Sequence, residues 1–209
     1  MKATIDHLVY TCPDLESAGA GIAAQTGVRP AFGGQHPGLG THNALLSLAS
    51  RTYLEIIAPD PAQPRPAELP FGLGTVTEPG LRAWAVAPDD LDTAVRRAAS
   101  AGFDYPAVVS RRRHRADGRE LTWRMTTYPQ PPGAAVIPFL IDWGGSEHPA
   151  EAAPAGLSLD QFRLRSPEPA RLNALLRALG LDLNVESASR PALSAVLRSP
   201  QGQDLALES

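Results

Sequence analysis

Cysteine is nearly absent: Cys12 is the only one in 209 residues. That excludes an intrachain disulfide and every multi-cysteine zinc or iron–sulfur motif, and it suits a reducing, cytoplasmic setting. Lysine is as rare, with Lys2 alone against eighteen arginines. We read this as compositional bias first, and as anion recognition only where an arginine has a specific place. A dominant charge is missing too. The net charge of −3 and a pI near 5.9 give no global field toward nucleic acid or anionic lipid. The longest apolar run, Ala134 to Ile141, is too short for a bilayer. A strand pattern begins almost at the first residue, which leaves no room for a signal peptide. These absences predict a soluble cytoplasmic protein, large enough to build a core without staples, with neither nucleic acid nor membrane as partner.

What is present is organised around Thr4-Ile5-Asp6-His7-Leu8-Val9-Tyr10. Its alternation is that of a half-buried strand, with Ile5, His7 and Val9 on one face and Asp6, Leu8 and Tyr10 on the other. A histidine among apolar neighbours needs a partner, because burying an unpaired imidazole is costly. Glu55, centred in Tyr53-Leu54-Glu55-Ile56-Ile57, is the natural one.

The pattern is then repeated. After the first strand, Pro13 and Asp14 open a helix whose apolar positions Leu15, Ala18 and Ile22 run to Gly27, and strands follow around Arg29 to Phe32, Asn43 to Leu48 and Thr52 to Ala58. Leu81 to Ala87, a helix over Asp89 to Ala101 closed by Gly102, and strands at Tyr105 to Ser110, Glu120 to Tyr128 and Val136 to Trp143 make a second β-α-β-β-β unit. Leu159 to Arg165, a helix from Ser166-Pro167 to Gly180, and short strands at Leu183 to Glu186, Ala192 to Arg198 and Asp204 to Glu208 make a third. The expected units are 1–60, 80–143 and 157–209, with 61–79 and 144–156 as linkers. Counting back from the closing glycines places Ala83 and Gln161 in the position of His7.

The motifs I-D-H-L-V-Y-x-x-P-D-L and Y-L-E-I-I, with H-P-G-L-G-T-H-N at His36 to Asn43 and P-F-L-I-D-W at Pro138 to Trp143, resemble the vicinal oxygen chelate superfamily and its glyoxalase-like domain branch. The resemblance implies an α+β fold in which tandem β-α-β-β-β units form a curled, mixed or antiparallel sheet around a cavity, with helices outside. It also implies a divalent metal, Zn, Ni, Mn or Fe, held by strand residues. By that resemblance His7, Glu55, Gln161 and Glu208 form a mixed His/Gln/Glu/Glu set like that of glyoxalase I enzymes, with units one and three supplying the ligands. The implied function is a metal-dependent lyase or isomerase acting on a small oxygenated substrate. The metal would act as Lewis acid, and Glu55 would transfer the proton. A metal-free small-molecule binding protein is the alternative, since fold does not name the reaction. An odd number of units must cover a sheet edge or make a homodimer.

Read from the residues alone, His7 and Glu55 suit either a divalent cation or a buried hydrogen-bonded pair. The glycine-rich stretch Gly33 to Asn43 suggests close approach to a ligand, with His36, His42 and Asn43 binding substrate. Arg111 to Arg115, ahead of Asp117-Gly118, reads as a solvated hairpin. In the next strand, packing Leu121, Trp123 and Met125 against the helices would turn Arg124 inward to meet an anionic group, with Trp143 and His148 at the same mouth. Cys12 reads as a packing residue.

Overall fold

The structure is a computed structural model describing residues 2–114, 120–127 and 136–209. Its first part runs β1 (Ala3–Thr11), α1 (Leu15–Thr26), β2 (Ala31–His36), β3 (Thr41–Ser47) and β4 (Tyr53–Pro59). A 3-10 segment at Pro70–Thr75 leads to β5 (Gly80–Pro88), α2 (Leu91–Ser100), β6 (Val108–His114), β7 (Glu120–Thr126) and β8 (Phe139–Asp142). Last come α3 (Pro149–Ala152), β9 (Ser158–Ser166), α4 (Pro169–Leu179), β10 (Val185–Ser187), β11 (Ala192–Arg198) and β12 (Asp204–Glu208).

Local chemistry sets the helix ends. Asp14 accepts a hydrogen bond from the Ser17 amide at 2.7 Å, and Asp90 one from Thr93 at 2.6 Å. Each satisfies an orphan N–H of the first turn, worth about 1 kcal/mol. Gly27 and Gly180 stop α1 and α4 in the left-handed conformation.

Strands β1 to β8 form one curled mixed sheet in the order β2-β3-β4-β1-β5-β8-β7-β6. β1 pairs parallel with β4 and antiparallel with β5, which joins the first two β-α-β-β-β units at the centre. The two outer strands, β2 and β6, approach each other, and the Arg113 guanidinium on β6 donates to the Gly33 carbonyl on β2 across the seam. Alternation divides each strand between two cores. Leu8, Leu54, Ile56, Trp84 and Leu140 face outward under α1, α2 and α4. Val9, Ile57, Ala83, Ala85, Phe139 and Ile141 face the concave side.

The last unit shares the element order of the first two but not their pairing. β9 lies between β10 and β11 in a separate four-stranded sheet, order β10-β9-β11-β12, whereas β1 pairs with the fourth strand of its unit. This sheet covers the convex side of the large one. The Phe162 ring sits edge-on to Trp84 at 5.1 Å, and Leu164, Leu193, Leu197 and Leu207 join the outer core.

Candidate functional site

The concave side encloses a cavity of about 640 Å³. One wall is β1, β3 and β4, carrying His7, Asn43, Tyr53 and Glu55. The facing wall is β6, β7 and β8, carrying Arg111, Arg113, Trp123, Met125 and Ile141. Leu69, Pro70 and Phe71 of the segment between the units cover it.

The floor is built on an irregularity of β1. Its register with β5 slips between Ile5 and His7, so Asp6 is an extra, bulged residue. The bulge overrides the expected alternation and turns Asp6 toward the side of His7. The carboxylate, 1% exposed, accepts from His7 Nδ1 at 2.6 Å, His148 Nε2 at 3.0 Å and Trp143 Nε1 at 3.1 Å. Burial pushes the Asp6 carboxyl up, but the hydrogen bonds from His148 and His7 outweigh it and hold it below the usual carboxylate range. His148 Nδ1 accepts from the Ala150 amide, so Nε2 carries its proton.

With Asp6 on Nδ1, His7 presents Nε2 to Glu55 Oε2 across 3.7 Å. The imidazole stacks on Tyr53 at 4.5 Å and meets the Phe139 edge at 5.3 Å. Glu55 Oε1 accepts from Asn43 Nδ2 at 2.6 Å, and the same amide nitrogen lies 3.3 Å from His36 Nε2. His36 Nδ1 lies 2.9 Å from the Thr41 hydroxyl. Burial holds His36 below the ordinary imidazole range, against the pull of the Glu55 carboxylate.

The expected site residues therefore divide. His7, Glu55, His36, Asn43 and Trp143 meet at one cavity. His42 does not: as the neighbour of Asn43 in β3 it faces the convex side, beside Phe32 and Leu15. Arg124 points outward as well, paired with Asp92 of α2 at 2.8 Å, because Trp123 and Met125 take the cavity face. Gln161 and Glu208 are exposed residues of the second sheet, which lies on the opposite side of the large sheet from His7. The four-residue metal set is thus not assembled, since strand pairing in the last unit differs from that in the first. The arginine run is not wholly solvated: Arg111 and Arg113 alternate into the cavity and Arg112 out of it. The expected Asp117-Gly118 turn lies outside the described residues. Burial pushes the Cys12 thiol up to about 12, as befits a packing residue.

The donor set can be tested against a divalent ion. Register places Ala85 beside Phe139 as His7 is beside Tyr53, so Ala85, rather than Ala83, answers to His7, and Ile141 to Glu55. The second unit contributes no donor there. One Glu55 oxygen and His36 Nε2 both face the Asn43 amide nitrogen, which leaves His7 Nε2 and Glu55 Oε2. Among the described residues no three His, Cys, Asp or Glu side chains are grouped to hold an ion. These residues do not make a complete protein chelate.

Asp6, Arg111 and Arg113 escape the sequence reading. The arginines carried a signal, being two apart and in phase with Val109; the bulge at Asp6 carried none.

A family model described as a glyoxalase-like domain matches residues 5–180. No curated protein matches the chain. A hypothetical protein from Staphylococcus aureus has a crystal structure with a TM-score of 0.64 at 13% identity, covering 90% of this chain and 88% of that one. Methylmalonyl-CoA epimerase from Mycobacterium tuberculosis aligns at TM-score 0.43 and 20% identity, over 66% of this chain and 84% of its own. A mutant 4-hydroxymandelate synthase from Streptomyces coelicolor aligns at 0.49 and 15%, over 99% and 62%. The first of these likenesses shows the fold alone.

Proposed function

Because the chain belongs to the glyoxalase-like domain family, within the vicinal oxygen chelate superfamily, we propose that its cavity binds a small oxygenated molecule on which Glu55 moves a proton, an isomerase- or lyase-type step. The observation that carries this reading is the buried line Asp6–His7–Glu55, which ends on a carboxylate at the wall of the cavity. Glu55 takes a proton from a carbon next to a carbonyl, and the C–H electron pair moves into the C–C bond as the carbonyl becomes an enolate. Return of the proton at another position completes an isomerisation. Expulsion of a β-substituent completes a lyase reaction. Asn43 fixes one Glu55 oxygen and leaves the other to act, while the apolar lining keeps competing water out.

The test is solvent exchange: incubation in D₂O with carbonyl compounds bearing an acidic C–H, followed by NMR. Wild-type protein exchanges the α-proton of at least one of them, and Glu55→Gln slows exchange by about 10² or more, the usual size of a general-base effect. Equal rates in Glu55→Gln would remove the proposal. Ligand binding without exchange would select the metal-free binding protein instead.

A metal-assisted version is favoured by one observation, the carboxylate on His7 Nδ1, which is how metal-ligating histidines are commonly oriented. His7 and Glu55 would then hold the ion, with water or substrate completing its shell. One equivalent of Zn, Ni, Mn or Fe in protein purified without chelators, lost in His7→Ala, selects that version.

A further inference from the structure

We propose that the ligand is an amphipathic monoanion, a carboxylic acid with an apolar body, whose charged head is held by Arg111. This rests on the reading of the cavity as the ligand site and names the class of molecule it takes.

The first argument is alternation. β6 pairs with β7 so that Arg111 lies opposite Trp123 and Val109 opposite Met125, and all four line the cavity. Arg112, one residue away, faces out and meets Glu120 at 3.6 Å. Arg124 has Asp92 and Arg198 has Asp160 and Asp204. Arg111 has no carboxylate partner among the described residues, although it sits at the edge of an apolar chamber. A guanidinium offers a planar fork that matches a carboxylate, and it keeps its charge at every physiological pH.

The second argument is the charge of the walls. Arg113, buried on the same strand, is turned to the Gly33 carbonyl at the seam, and its positive field reaches Tyr53 and His36. The other lining groups of β6, β7 and β8 are uncharged. Glu55 is already held by Asn43 and faces His7. The remaining acid of the lining, Glu68, is exposed on the covering segment. An anion entering along β6 meets two cations, while its body reaches Phe71, Phe139, Ile141 and Met125. The volume of about 640 Å³ lies within the usual range for a small-molecule site.

The test is calorimetric titration of the full chain with octanoate, 1-octanol and octylammonium, three probes with the same tail. Octanoate is expected to bind at least about tenfold tighter than 1-octanol, or ~1.4 kcal/mol. Arg111→Met and Arg111→Gln, changes at an exposed position, should erase that preference and leave 1-octanol affinity and melting temperature unchanged. Equal affinities, a preference for octylammonium, no binding of octanoate, or a preference that survives both variants overturns the proposal. Glu55→Gln separates it from the chemical reading: octanoate binding is retained there while exchange is lost. Wild-type protein that exchanges the α-proton but shows no octanoate preference rejects the anion site alone.

Discussion

Asp6 Oδ1 lies 2.6 Å from His7 Nδ1, although the two residues are adjacent in one strand and in a regular ladder would face opposite sides. The bulge that turns Asp6 inward gives the carboxylate three N–H donors, from His7, Trp143 and His148. They come from β1 and from the chain after β8, so the network ties the centre of the sheet to the turn that follows its second half. Its effect on His7 is to fix which nitrogen carries the proton and which one faces Glu55.

Asp6→Asn should therefore cost more than a hydrogen bond. An amide oxygen cannot accept three donors, and its NH₂ group is thrust toward groups that are themselves donors. A hydrogen bond to a buried charged group is typically worth about 1.5–3 kcal/mol. The expected result is a clear fall in melting temperature together with loss of the downfield Nδ1 proton resonance of His7. A variant that melts like wild type and keeps that resonance would show that Asp6 does not orient the imidazole.

His36 sets a pH dependence whose sign follows from burial. Its folded value lies below the ordinary 6.5, so it stays neutral where an unfolded chain takes up a proton. The stability it contributes is fully present above 6.5 and is lost as pH falls from there toward the folded value. Denaturant midpoints should decline as pH drops below 6.5, and His36→Gln should flatten that decline. An equally steep decline in the variant would assign the slope to other groups.

Much of the fold was legible because it depends on periodicity. Leu8, Leu54 and Ile56 against His7 and Glu55 follow simple alternation, and the closing glycines marked the helix ends. Pairing was less legible. β9 has the apolar pattern of a unit's first strand, but nothing in that pattern says whether its parallel neighbour is the second strand or the fourth. This misplaced Gln161 and Glu208. His42 and Arg124 were lost to phase, since a one-residue shift exchanges the two faces of a strand. Both lie next to a residue that does face the cavity, Asn43 and Trp123.

Phe71 supplies a test of the covering segment. It is a non-glycine residue at φ 60°, followed by Gly72 at φ 71°, and its ring lies 6.2 Å from that of Phe139. Phe71→Ala removes the ring and keeps the strained backbone, whereas Phe71→Gly removes both. Glycine should be the more stable of the two by about 1 kcal/mol, read from denaturant midpoints. Equal stability would mean that the segment relaxes and that the left-handed conformation is not imposed on it.

The last prediction concerns a residue outside the cavity lining. Gly33 occupies a bulge of β2 opposite β3, and a Cβ there would stand 2.4 Å from Asn43 Oδ1 and 2.9 Å from Leu45 Cγ. No real Cβ sits that close, so Gly33→Ala must move one of them. Leu45 is held in the inner core, and the Asn43 oxygen has no hydrogen-bond partner among the described residues, so the amide is the group that gives way. Its nitrogen is what fixes Glu55 at 2.6 Å, and displacing it frees the carboxylate to rotate. Gly33→Ala should slow proton exchange by a larger factor than its fall in stability explains. Gly38→Ala serves as control for lost stability alone, because its Cβ would meet open space and its cost comes from the backbone at φ +77°. If both variants lose stability but keep wild-type exchange, the carboxylate does not depend on Asn43 for its position.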